Sequence, residues 1–126
     1  MKPGSRIFCV EDTAELMELL KIQLKDLGFF VCGYSDNAQG AIAGIQKSKP
    51  NLVLIDIELN GKFDGVIIGD YLVSKTDIPF IYITGHDDDA VLKSARKTVP
   101  DGFLLKPFDA KQLRAAITMA DRKENG

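Results

Sequence analysis

The chain has 126 residues, enough for one domain with a single core and too few for two ordinary ones. Hydrophobic residues make up 45% and charged residues 27%, a folded globular balance that excludes an intrinsically disordered chain. A net charge of −2 supplies no global attraction for nucleic acid or an anionic membrane, and no apolar run approaches the roughly 20 residues of a bilayer span.

The opening "MKPGSRIFCV" has no apolar stretch long enough for a secretory signal, so a cytoplasmic protein with one domain over residues 1–126 is expected. "RIFCV" (6–10) reads as a short buried strand. In "EDTAELMELLKIQLKDLG", Leu16, Leu20, Leu24 and Leu27 recur at helical spacing, with Leu19 widening the stripe. Asp12 or Thr13 is placed to cap that helix and Gly28 to end it. "FFVCGY" (29–34) is the second strand, and "SDNAQGAIAGIQKSKP" the second helix, capped near Ser35 or Asp36 and stopped by Pro50. Gly40 and Gly44 weaken this helix but permit a close approach by a neighbour.

"NLVLIDIELNG" supplies the third strand, an apolar run ending at Asp56. A third helix follows over Asp64 to Lys75, with Ile67, Ile68, Tyr71 and Leu72 at helical spacing. "PFIYITG" (79–85) is the fourth strand, opening on a proline that cannot donate to a ladder. "DDDAVLKSARKT" is the fourth helix, with three acids at its positive end. "GFLLK" is the fifth strand, and "DAKQLRAAITMADRK" the fifth helix, with Leu113, Ala116, Ile117 and Ala120 on one face. Cys9 and Cys32, in apolar strand-like stretches, read as free buried thiols. With His86 the only histidine, metal binding through nitrogen or sulfur ligands has no basis.

Five strand-then-helix units predict an α/β fold, a parallel sheet covered by helices on both faces. Ligands of such sheets bind beyond the carboxyl ends of the strands. There the sequence places Glu11 and Asp12 after strand one, Asp56 after strand three, Thr84 after strand four and Lys106 after strand five. Taken singly, each has a plainer role: the acids as helix caps, Thr84 as a β-former, Lys106 as a solvated loop residue. Together at one rim, they make a site.

Two carboxylates about 4 Å apart repel by roughly 4 kcal/mol at an effective dielectric near 20, so three of them require a cation. An all-oxygen ligand set suits Mg2+ or another hard divalent ion. Such an ion leaves a coordination position for a phosphoryl oxygen; Thr84 and Lys106 are suited to bind two others. The remaining acid is then a nucleophile toward phosphorus, and Asp56, central in the inferred sheet, is the choice.

"ED" after strand one, "LVLIDIEL", "ITG" closing strand four and "LLKPF" after strand five together resemble the receiver domain of two-component response regulators, over roughly residues 6 to 120. The resemblance implies a flavodoxin-like (βα)5 three-layer sandwich with strand order 2-1-3-4-5. It implies a signalling switch rather than a turnover enzyme: Asp56 takes a phosphoryl group from a sensor histidine kinase or phosphotransfer protein. Mg2+ is held by Glu11, Asp12, Asp56 and the Glu58 backbone carbonyl. Thr84 moves toward the phosphoryl group, Lys106 pairs with it, Phe103 is the switch aromatic, and the Lys106–Pro107 bond is cis. The output is a changed surface of the fourth helix, fifth strand and fifth helix, which would dock a downstream protein target or a second copy.

Departures from the family pattern accompany these matches. Phe103 lacks the hydroxyl of the tyrosine often found there, and Gly85 stands where a small residue, often alanine, follows the threonine, which should leave the site more open. The loop "ELNGKFDG" lacks the common Met-Pro turn and carries two glycines. Glu58 and His86 occupy positions that in relatives tune loss of the phosphoryl group; Glu58 either orients water or repels it, and His86 is either a solvated loop residue or a modulator of lifetime and docking.

One rival reading is a haloacid-dehalogenase-like phosphatase, which also uses a strand-end Asp, Mg2+, a Thr and a Lys but wants an Asp where Glu58 stands. Another is a receiver-like scaffold that never takes phosphate, against which the presence of Asp56, Thr84 and Lys106 argues. No basic recognition helix is visible in the sequence, so direct nucleic-acid binding is not expected. The chain reads as either a stand-alone regulator or part of a longer one.

Overall fold

The computed structural model describes residues 1–85 and 89–125, the side chains of 89 and 122–125 excepted. The apolar runs form strands β1 (Arg6–Val10), β2 (Phe30–Ser35), β3 (Leu52–Asp56), β4 (Phe80–Thr84) and β5 (Gly102–Leu105). Between and after them lie helices α1 (Ala14–Asp26), α2 (Ala38–Ser48), α3 (Gly65–Lys75), α4 (Asp89–Arg96) and α5 (Ala110–Asn125). All strand pairs are parallel and the order is β2-β1-β3-β4-β5, the flavodoxin-like arrangement the resemblance implied. β3 and β4 are buried at every position, because central strands are covered on both faces.

Alternating side chains divide the core in two. Ile7, Cys9, Leu52, Leu54, Ile81, Ile83 and Leu104 face α1 and α5, meeting Met17, Leu20, Leu24, Leu113, Ile117 and Ala120. Phe8, Val10, Val53, Ile55, Phe80 and Tyr82 face the other way, against Ala41 and Ile45 of α2, Ile68 and Leu72 of α3 and Ala95 of α4. Cys9 is buried and Cys32 half-buried, both as free thiols. No helix among the described residues is long and apolar enough to cross a membrane.

Some details differ from the sequence reading. The stripe that α1 buries runs through Met17, Leu20 and Leu24; Leu19, expected to widen it, is 43% exposed. Apolar residues cover more than half of this helix, so the sequence does not fix which arc meets the sheet. Ile67 of α3 likewise turns outward, at 53% exposed. The cap of α2 is Asn37, whose Oδ1 accepts the Gly40 N–H at 2.7 Å, because Ser35 is still paired in β2. Gly44 does allow a close approach, to the Phe8 ring of β1: a Cβ there would stand 2.7 Å from it. The Lys106–Pro107 peptide is cis, as implied.

Candidate functional site

The site is assembled by the places where the strands stop. β1 runs out of ladder at Glu11, whose backbone N–H bonds to the Ser35 carbonyl at 3.0 Å. Asp56 is the last residue of β3, in register with Ile83 of β4. Lys106 follows β5 directly, its N–H bonded to the Thr84 carbonyl at 2.8 Å. Parallel pairing thus brings residues about 50 positions apart to one rim.

By strand alternation, Glu11, Asp56 and Lys106 continue the parity of Ile7 and Cys9, Leu52 and Leu54, and Leu104. They stand above the α1/α5 core. Thr84 continues the parity of Phe80 and Tyr82, above the α2/α3/α4 core.

Carboxylate oxygens of Glu11, Asp12 and Asp56 lie within 4.8 Å of one another. Glu11 and Asp56 are buried, Asp12 partly so. Lys106 Nζ donates to Asp56 Oδ2 at 2.7 Å and stands 3.4 Å from Glu11 Oε1. Backbone amides hold the acids: Thr13 N–H donates to Glu11 Oε2 at 2.9 Å and Glu58 N–H to Asp56 Oδ1 at 3.0 Å. Asn60 N–H donates to Asp12 Oδ2 at 2.7 Å. A cavity of about 230 Å³ opens above them, lined by Asp12, Thr13, Asp56, Glu58, Gly61, Gly85 and Lys106.

Three carboxylates and one ammonium leave an excess of negative charge in a desolvated pocket. Burial pushes the Glu11 carboxyl up to about 7, helped by the adjacent Asp56 carboxylate, while the Thr13 amide and Lys106 pull it back only in part. For Lys106, burial acts downward, but the hydrogen bond and charge of Asp56 and the charge of Glu11 outweigh it and hold the ammonium above its ordinary value. Among the described residues Glu11 Oε1 is fully buried without a hydrogen bond, and its contact with Lys106 at 3.4 Å is an ion pair. A buried orphan acceptor facing two further carboxylates is a position that a hard cation would satisfy. The residues present therefore fit Mg2+.

Sequence reasoning placed Glu11, Asp12, Asp56 and Lys106 together, and the structure does so. Thr84 is buried at the same rim, one strand from Asp56. Among the described residues, a Cβ at Gly85 would meet only Lys106 Cδ, at 4.0 Å. Phe103 is half-buried on the opposite face, its ring centroid 5.8 Å from that of Tyr82. His86 lies outside the described residues.

Two features were missed. The Asn60 amide on Asp12 is one. The other is a buried hydroxyl pair: Tyr82 Oη lies 2.6 Å from Thr98 Oγ1, and Thr98 Oγ1 in turn donates to the Ala95 carbonyl at 2.5 Å. Only "NG" in the loop carried a signal, being a strong two-residue hairpin sequence.

A family model described as the response regulator receiver domain matches residues 7–118. The transcriptional regulatory protein KdpE of Staphylococcus aureus is 31% identical over 118 residues, covering 94% of this chain and 50% of that protein. The DNA-binding response regulator MtrA of Mycolicibacterium paratuberculosis is 29% identical, covering 95% of this chain and 52% of that one. The chain thus spans about half the length of the curated relatives it matches. Among solved structures, the signal receiver domain of a modulated diguanylate cyclase from Desulfovibrio desulfuricans superposes with a TM-score of 0.89 at 34% identity, covering 97% of each chain.

Proposed function

The chain belongs to the response regulator receiver domain family, and from that premise we propose that it is a phosphorylation-driven switch with Asp56 as acceptor. The observation that carries this reading is the Asp56 carboxylate, buried at a strand end, bonded to Lys106 at 2.7 Å and sharing its pocket with two further acids.

A carboxylate oxygen of Asp56 attacks the phosphorus of a phosphohistidine on a kinase or phosphotransfer protein. The new O–P bond forms as the N–P bond breaks, and the imidazole nitrogen departs and takes up a proton. Lys106, bonded to the Asp56 oxygen that the Glu58 amide does not hold, would compensate charge on the transferred group. Glu11, Asp12, Asp56 and the Glu58 carbonyl would hold Mg2+, which when bound supplies charge stabilisation for the phosphoryl oxygens. Glu11 takes part only when ionised, so its raised pKa makes it a proton competitor of the ion.

Thr84 ends the strand that also carries Tyr82, against which Phe103 packs. A displacement of Thr84 toward the modified Asp56 would therefore be felt at β5 and the adjoining α4 and α5 surface. That surface is the proposed docking face for a downstream target or a second copy. The partners of the longer relatives, including DNA, belong to those proteins; this chain's receiver portion would act through protein contacts.

Incubation with Mg2+ and a small acyl phosphate tests the reading by mass spectrometry. Wild type is expected to gain one phosphoryl group at position 56 only when Mg2+ is present, and Asp56→Asn none. Equal modification of both proteins would overturn it, as would sustained turnover of phosphate monoesters, which belongs to a phosphatase.

A further inference from the structure

The loop between β3 and α3 departs from the family pattern, and its backbone explains what the departure does. Asn60 and Gly61 have φ of 55° and 77°. Leu59 and Lys62 on either side form an antiparallel bridge, exchanging N–H···O bonds of 3.0 and 2.7 Å. This is a two-residue hairpin with both central residues left-handed, the backbone for which Asn-Gly is the preferred pair.

In such a hairpin the flanking residues satisfy each other, and the amide of the first central residue points outward. Here it donates to Asp12 Oδ2 at 2.7 Å, across 48 positions of sequence. The same residue's side-chain amide reaches the Asp36 carbonyl at 3.4 Å, so one turn touches the loops after β1 and β2 as well as its own. Gly61 lines the pocket above Asp56.

Asp12 is the least buried of the three clustered acids, and repulsion from Glu11 and Asp56 favours its swinging into solvent. We propose that the Asn60–Gly61 turn is a positioning element for the cation site, holding Asp12 toward Glu11 and Asp56 before any ion binds. The inference rests on the reading of these acids as the Mg2+ ligands. Asn60 would act through Asp12, to which its amide is bonded, and is not itself one of the proposed ligands. A partner that fixes a ligating carboxylate is commonly worth tenfold or more in metal affinity.

The test uses Mg2+ alone, with binding measured by calorimetry and the Asn60 amide followed by hydrogen exchange in ion-free protein. Asn60→Gly keeps the amide and the left-handed backbone, so it should bind Mg2+ within about twofold of wild type. Asn60→Val, a β-branched residue that resists positive φ, should weaken binding roughly tenfold while leaving the melting profile cooperative. If that variant does not fold, the milder Asn60→Ala replaces it, with a weakening of about threefold expected. The amide at position 60 should exchange slowly in wild type and in Asn60→Gly, and rapidly in Asp12→Ala.

Wild-type affinity in Asn60→Val, or in Asn60→Ala where that replaces it, would overturn the inference alone. So would equal weakening in Asn60→Gly and the disruptive variant. Failure of wild type to bind Mg2+ at all would instead bring down the proposed function, and the inference with it.

Discussion

The two faces of the sheet are built from different materials. On the α1/α5 side the buried residues are aliphatic apart from Cys9 and Met17, and most are branched side chains of similar volume. On the α2/α3/α4 side, Phe8, Phe80 and Tyr82 are seated against glycines. Phe8 fits over Gly33 and Gly44, while Tyr82 fits over Gly69, where a Cβ would overlap its hydroxyl. That hydroxyl donates to Thr98, whose own proton goes to the Ala95 carbonyl at the end of α4.

The first face is expected to accept exchange of shape but not loss of volume; at the ring–glycine contacts of the second, neither is expected to be accepted. The charged cluster crowns the aliphatic face, and Thr84 with Phe103 crowns the aromatic one. The proposed phosphoryl chemistry would thus sit over the uniform face, and the proposed switch residues Thr84 and Phe103 over the face where three aromatic rings are fitted to glycines.

The largest expected effect tests the aliphatic side. Leu20→Ala should cost about 2–5 kcal/mol in chemical denaturation, and Leu20→Met less than about 1.5 kcal/mol. A small loss for the alanine variant would mean that this face is not volume-limited.

On the aromatic side, Gly69→Ala should cost about 1–3 kcal/mol although it adds a single methyl. Adding Tyr82→Phe should recover part of that loss, because the overlapping oxygen is gone. Strict additivity of the two changes would show that Gly69 and Tyr82 are not a fitted pair.

The rim can be set against both faces through pH. The folded pKa of Glu11, raised to about 7 from an ordinary 4.5, means that the folded protein holds this proton more tightly than the unfolded chain. Its contribution to ion-free stability is complete below about 4.5 and is lost as pH rises through about 7. Mg2+ needs the ionised form, so its stabilising effect should grow over the same interval. Thermal melts at pH 5 and pH 8, with and without Mg2+, read this directly. Glu11→Gln should melt higher than wild type at pH 8 without the ion and lose the response to Mg2+. A Mg2+ shift independent of pH would exclude Glu11 from the site.

The smallest expected effect is that of Tyr82→Phe alone, about 1 kcal/mol for a neutral hydrogen bond whose acceptor keeps its other partner. Faster amide exchange at the end of α4 should accompany it. Unchanged exchange there would mean that the hydroxyl pair does not tie α4 to the sheet.

Much of this was legible residue by residue. "LVLID" and "FIYIT" announce strands buried on both faces because no polar residue interrupts them. The position at which each run stops fixes which side chain meets the rim, and Glu11, Asp56, Thr84 and Lys106 follow from that. Met17 was passed over in favour of Leu16 because the apolar arc of α1 is wide, and only docking selects its centre. The cap at Asn37 was displaced from Ser35 because β2 extends to the earlier residue.

The amino-acid order alone gave the alternation of strands and helices and the polar residues at the strand ends, since both are local properties of the chain, while the strand order came from the resemblance to a family. The three-dimensional packing decided the rest: the grip of the Asn60 amide on Asp12, the fit of Tyr82 over Gly69, and which arc of each helix is buried. These are relations between residues far apart in sequence, set by distances that exist only after the layers have closed on one another.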